Sequence, residues 1–92
     1  MSRIRTVEVN IHGRVQGVGY RAWTKSQAER LGLSGHVRNR ADGTVAAIFS
    51  GETEAVAVML DACRKGPPGA RVTDIVEREG TRPEAGFQIL RD

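Results

Sequence analysis

Along residues 4–12 apolar and polar side chains alternate. Val7, Val9 and Ile11 point one way, while Glu8, Asn10 and His12 point the other, which is the period of a half-buried strand. Residues 13–19 contain three glycines in seven positions and read as a loop. The period then changes to that of a helix. Over residues 20–31, Tyr20, Trp23, Thr24, Gln27, Ala28 and Leu31 fall on one side, and Gly32 is the expected stop, because glycine takes the left-handed turn that closes a helix.

Residues 36–40 and 44–49 read as two strands, and Ala41-Asp42-Gly43 supplies the tight turn of a hairpin between them. A second helix follows. Val56, Met59, Leu60 and Cys63 sit at i, i+3, i+4 and i+7, an apolar stripe that faces a core. Glu52 and Glu54 suit the positive end of this helix, and Arg64 and Lys65 its negative end, before Gly66-Pro67-Pro68-Gly69 stops it. Residues 72–78 and 87–90 are the last strand candidates, on either side of a looser segment over 80–86. The order is β-α-β-β-α-β with a short extra strand. It predicts an α+β, ferredoxin-like sandwich, an antiparallel sheet with two helices on one face, formed by one domain over residues 1–92. That topology carries many unrelated activities and does not choose among them.

Composition narrows the class. With 39% hydrophobic and 27% charged residues in 92, the chain is a soluble globular domain by composition, and no apolar run approaches the ~20 residues of a membrane span. The N-terminal Met-Ser-Arg-Ile-Arg lacks the apolar stretch of a signal peptide, so a cytoplasmic protein is expected, with no membrane partner. Nothing in the sequence calls for an oligomer, and a monomer is expected. Cys63 is the single cysteine, which rules out an intrachain disulfide. His12 and His36 are the only histidines and have no metal-like spacing with acids, so they read as strand residues and no metal or other cofactor is expected.

The net charge of +3 is unevenly spread. Residues 9–41 hold six bases against one acid, a balance of +5, whereas residues 42–92 hold six bases and nine acids, a balance of −3. The basic half contains the glycine loop, and an anionic ligand there accounts for both features. So do scattered, solvated arginines.

The loop Gly13-Arg14-Val15-Gln16-Gly17-Val18-Gly19-Tyr20-Arg21 lies between a strand and a helix. Its backbone N–H groups can converge with the helix N-terminus into an anion-binding nest, and glycines let the backbone approach a ligand closely. Arg21 falls in the first helical turn, where the helix dipole disfavours a cation by roughly 0.3–1 kcal/mol. A bound anion reverses that sign, and guanidinium matches phosphate oxygens in pairs. An arginine turned to solvent above a sterically tight turn fits the same residues.

Three familiar phosphate signatures fail. Gly17-Val18-Gly19-Tyr20-Arg21-Ala22 formally fits the dinucleotide pattern G-x-G-x-x-G/A, with Asp42 about 20 residues onward. The chain is too short for a doubly wound domain, however, and Asp42 reads as a turn residue. No Gly-Lys-Ser/Thr follows the loop, which excludes a P-loop, and no cysteine lies in it, which excludes a cysteine phosphatase. An RNA-binding module on the same topology would use the basic half, but 4% aromatic residues make a poor stacking platform, and no nucleic acid is expected. A regulatory domain of a larger enzyme is a further alternative. The end of the chain two residues after Leu90 leads us to expect a freestanding protein.

The loop Gly13–Arg21 resembles the first signature of the acylphosphatases, G-x-V-Q-G-V-x-F/Y-R. Leu31-Gly32-Leu33-x-Gly35-x-Val37-Arg38-Asn39 resembles the second, continued by Asp42-Gly43-Thr44-Val45, Gly51 and Gly66-Pro67, so that the resemblance covers nearly the whole chain. His36 departs from the pattern, where the family usually carries an aromatic residue such as Trp, and looser packing beside Asn39 is expected from it. The resemblance implies that Arg21 and the amides of Val15, Gln16, Gly17, Val18, Gly19 and Tyr20 bind a phosphoryl group, and that Asn39 orients the attacking water. It implies an acyl phosphate substrate, cleaved without a metal to a carboxylate and inorganic phosphate. Val37 and Asn39 share a strand face by the period of two, which turns Asn39 toward the helices. Without the resemblance, Asn39 reads first as a hairpin-side polar residue bonding its own turn.

Overall fold

A computed structural model describes residues 3–91; Met1, Ser2 and Asp92, at the ends of the expected 1–92 domain, lie outside the described residues. The elements are β1 (Ile4–Arg14), α1 (Tyr20–Arg30), β2 (Ser34–Asn39), β3 (Val45–Glu52), α2 (Thr53–Lys65), β4 (Arg71–Glu79) and β5 (Phe87–Ile89). They form one sheet in the order β4-β1-β3-β2-β5. β1 runs antiparallel to both β3 and β4, and β2 antiparallel to β3.

The edge strand differs from the antiparallel expectation. β5 pairs in parallel with β2, through Gly35↔Phe87, His36↔Gln88 and Val37↔Ile89. The chain reverses once after β4, but β5 lands at the opposite edge of the sheet, where its neighbour β2 already runs the same way. The sheet is therefore mixed, with four longer antiparallel strands and one short parallel one.

The alternation in β1 translates directly into burial. Val7, Val9 and Ile11 are 2%, 1% and 0% exposed, whereas Glu8, Asn10 and His12 are only half-buried. Val45, Ala47 and Phe49 of β3 continue the same apolar face, and Val56, Met59, Leu60 and Cys63 of α2 pack into the core with them. Tyr20 and Ala28 bring α1 into that core. α1 ends at Leu31 in a Schellman turn, in which the Gly32 N–H donates to Glu29 O (3.1 Å) and the Leu33 N–H to Ala28 O (2.9 Å). The left-handed φ of 71° at Gly32 is what the sequence required of it.

His36 does not sit beside Asn39. Its side chain lines grooves on the helix-free face, with Glu8, Arg38 and Ile48 in one of them, whereas Asn39 lies on the helix side. The three-residue offset along a strand puts them on opposite faces, and the expected loosening at Asn39 has no basis in the structure.

Candidate active site

Residues 15–19 connect β1 to α1 and are tied down at both ends. Val15 is fully buried. The Gln16 side-chain amide donates to Arg40 O (2.8 Å) and Thr44 O (2.9 Å) and so fastens the loop to the β2–β3 turn. That turn is closed by Asp42, whose Oδ1 accepts from the Thr44 N–H (3.0 Å) and Thr44 Oγ1 (2.6 Å). These bonds hold the Asp42 carboxyl below the usual carboxylate range. Asp42 is thus a turn residue, and the dinucleotide reading loses its ribose partner.

Gly17 and Gly19 have φ values of 76° and 79°, yet a Cβ added at either would meet nothing within 4 Å. Glycine is needed for the backbone turn, and crowding plays no part. Gly19 is the N-cap of α1. No side chain caps this end, and no acid lies in the first turn. The first-turn N–H groups are left as donors at the positive end of the helix.

A cleft of about 160 Å³ opens at this point. From the loop and α1 it is lined by Val15, Gly17, Gly19, Tyr20, Arg21 and Ala22, and from the strands by Asn39, Ile89 and Arg91. Arg21 and Asn39, separated by 18 positions in the sequence, meet here. Asn39 Oδ1 is buried without a hydrogen-bond partner among the described residues. This oxygen is therefore not bonded to its own turn, as that of a turn-bonding asparagine would be.

Two of the expected phosphate-binding residues are not part of the cleft lining. Gln16 is committed to the β2–β3 turn, and Val18 packs against the core. Tyr20 lines the cleft at the start of α1, but its hydroxyl is turned inward, donating to Cys63 O at 2.6 Å. Burial raises the pKa of this phenol far above its usual value, and burial pushes the Cys63 thiol up to about 12. Neither group is poised to act as a nucleophile or base at neutral pH.

Ile89 and Arg91 were not among the expected site residues. The only signal was the continued alternation Phe87, Ile89, Arg91, and it acquires meaning only through the parallel pairing with β2. Conversely, of the six bases in residues 9–41, only Arg21 lines this cleft; Arg38 and Arg40 line a groove on the opposite face with Glu8. A larger groove of about 480 Å³, where β1 begins and β4 ends, is lined by both charge signs. Its charges pair internally, Arg5 with Glu77 at 3.5 Å, and Arg78 reaches out to Glu8 at 3.1 Å, so it offers no comparable excess of one sign. Among the described residues no group of three His, Cys, Asp or Glu side chains could hold a metal ion, and no helix is long and apolar enough to cross a membrane.

The sequence and fold have clear relatives. The acylphosphatase family model matches residues 7–89. An acylphosphatase of Azorhizobium caulinodans is 58% identical over 81 residues, 88% of this chain and 87% of that one. One from Rhizobium meliloti is 53% identical over 89 residues, 95% of this chain and 94% of its own. The crystal structure of acylphosphatase from Bacillus subtilis aligns with a TM-score of 0.90 at 33% identity, covering 97% of this chain and 100% of that one. With the signature loop, the ferredoxin-like sheet and these relatives in agreement, the chain belongs to the acylphosphatase family and is an enzyme of acyl phosphate hydrolysis.

Proposed function

We propose that the reaction is a direct attack of water on a phosphoryl group held at the N-terminus of α1. The backbone N–H groups of Val15 to Tyr20 and the Arg21 guanidinium bind the phosphoryl oxygens, and Asn39 holds the water in line. The observation that carries this reading is the pairing, in one cleft, of Arg21 beside an uncapped helix end with the unpartnered acceptor Asn39 Oδ1. The amide oxygen accepts a hydrogen bond from the water and orients the water's lone pair toward phosphorus, but it is too weak a base to remove the proton.

The substrate makes up for the absent base. As the water oxygen bonds to phosphorus, the phosphorus–oxygen bond to the acyl group breaks, and the carboxylate departs with the electron pair. The water proton passes to the new phosphate. The transition state of phosphoryl transfer is loose, and a carboxylate is a good leaving group, so positioning and charge stabilisation are sufficient. In this reading residues 1–92 act as one domain and as a cytoplasmic monomer, release inorganic phosphate, and use neither metal nor other cofactor. The family resemblance supports this reading, and the single continuous core of the described residues supports its one-domain part.

Turnover of benzoyl phosphate with a metal chelator present is the direct test. Hydrolysis at the same rate with and without chelator is expected. Loss of hydrolysis on adding chelator would overturn the mechanism.

A further inference from the structure

We propose that Arg91 reads the acyl end of the substrate and gives this enzyme a preference for acyl phosphates whose acyl group ends in a carboxylate. The inference rests on the phosphate cradle proposed above and concerns the other end of the same ligand. Val37 of β2 is in register with Ile89 of β5, and the ladder continues with the Leu90 N–H donating to Val37 O at 2.9 Å. Two residues on from this pair lie Asn39, at the end of β2, and Arg91, just past the end of β5. Both line the cleft.

The cleft carries a cation besides the one at the helix end. Arg21 and the uncapped end of α1 are the natural partners of the phosphoryl oxygens. Arg91 is a second guanidinium in a lining that, among the described residues, contains no acid. It is exposed, and among the described residues no hydrogen bond or ion pair engages it. Two cations sharing one cleft repel unless anionic groups lie between or beside them. Ala22 and Ile89 contribute small and apolar surface to the lining, which suits a short hydrocarbon stretch. A ligand that satisfies all of these has a phosphoryl group at one end, a few methylenes, and a carboxylate that the guanidinium fork of Arg91 can grip bidentately.

Succinyl phosphate and butyryl phosphate test this, since they share a four-carbon acyl chain and differ in the terminal carboxylate. In the wild-type protein the ratio of kcat/KM for succinyl over butyryl phosphate should exceed one and fall as salt is raised. Arg91→Gln should lower that ratio about threefold to tenfold, the range of an exposed to a well-bonded ion pair. Arg91→Lys, which keeps the charge but loses the fork, should fall between the two. Equal losses on both substrates, or no change in the ratio, would overturn the assignment. If the wild-type protein hydrolyses neither substrate, the reaction proposed above fails, and this inference with it.

Discussion

The Tyr20 hydroxyl donates a 2.6 Å hydrogen bond to the carbonyl of Cys63, so the first residue of α1 is bound to the last turn of α2. The last four carbonyls of a helix have no intrahelical partner, and this bond satisfies one of them away from water. The Tyr20 ring is also 1% exposed, and Thr24 Oγ1 donates back to Tyr20 O at 2.8 Å. One side chain thus fixes the position of the helix end that carries the candidate phosphate site.

Tyr20→Phe keeps the ring and removes the donor, leaving the Cys63 carbonyl buried and unpaired. A loss of about 1–3 kcal/mol in unfolding free energy is expected, read from urea denaturation. Turnover per folded molecule should suffer less than stability does, because the hydroxyl does not face the cleft. A variant as stable as the wild type would mean that the hydroxyl bond contributes nothing net.

The Cys63 thiol predicts an alkaline limit. Its pKa is raised to about 12 in the folded protein from an ordinary value of 9.0, chiefly by burial. Its stability contribution is fully present below pH 9.0 and is lost as pH rises toward the folded value, because the unfolded thiol ionises first. The raised Tyr20 phenol acts in the same direction above its ordinary 10.0. Urea midpoints measured from pH 8 to 11 should therefore decline, and decline less steeply in Cys63→Ala. Parallel slopes for the two proteins would remove Cys63 as a cause.

Arg21 and Asn39 should separate kinetically. Arg21→Gln removes a donor to the phosphoryl oxygens and should lower kcat/KM by about 10²–10³-fold, the usual range for one such donor. Inhibition by inorganic phosphate should weaken with it. Asn39→Ala should instead lower kcat, by roughly 10²-fold if positioning of the water is its role, with phosphate inhibition little changed. Full turnover by Asn39→Ala would end the water-positioning assignment.

Gly19→Ala tests the backbone of the cradle. At φ 79° an alanine is strained by about 1–2 kcal/mol, although its methyl group meets no neighbour. Both stability and phosphate affinity should fall. Gly86→Ala, at φ 92° and also in open space, is the control: it lies outside the cleft lining and should lower stability alone. Equal effects of the two substitutions on phosphate inhibition would argue against a role for the loop amides.

Much of this molecule is decided locally. The alternation of Val7, Val9 and Ile11 and the stripe of Val56, Met59, Leu60 and Cys63 determine which faces are buried, because burial follows the period of the element. Gly32 and the Asp42 turn are likewise local, since a left-handed residue or a side chain bonding its own backbone needs no distant partner. The glycine loop and Arg21 marked an anion site for the same reason: an uncapped helix end is a property of a few neighbouring residues. The side-chain commitments were not legible there. Gln16 and Tyr20 lie in the signature loop, yet their polar groups bond to Arg40, Thr44 and Cys63, partners supplied by other elements. Only the packed sheet brought Asn39 to Arg21 and turned His36 to the other face. Ile89 and Arg91 reached the cleft because β5 runs parallel to β2, and that pairing joins segments far apart in the sequence, which no local pattern specifies.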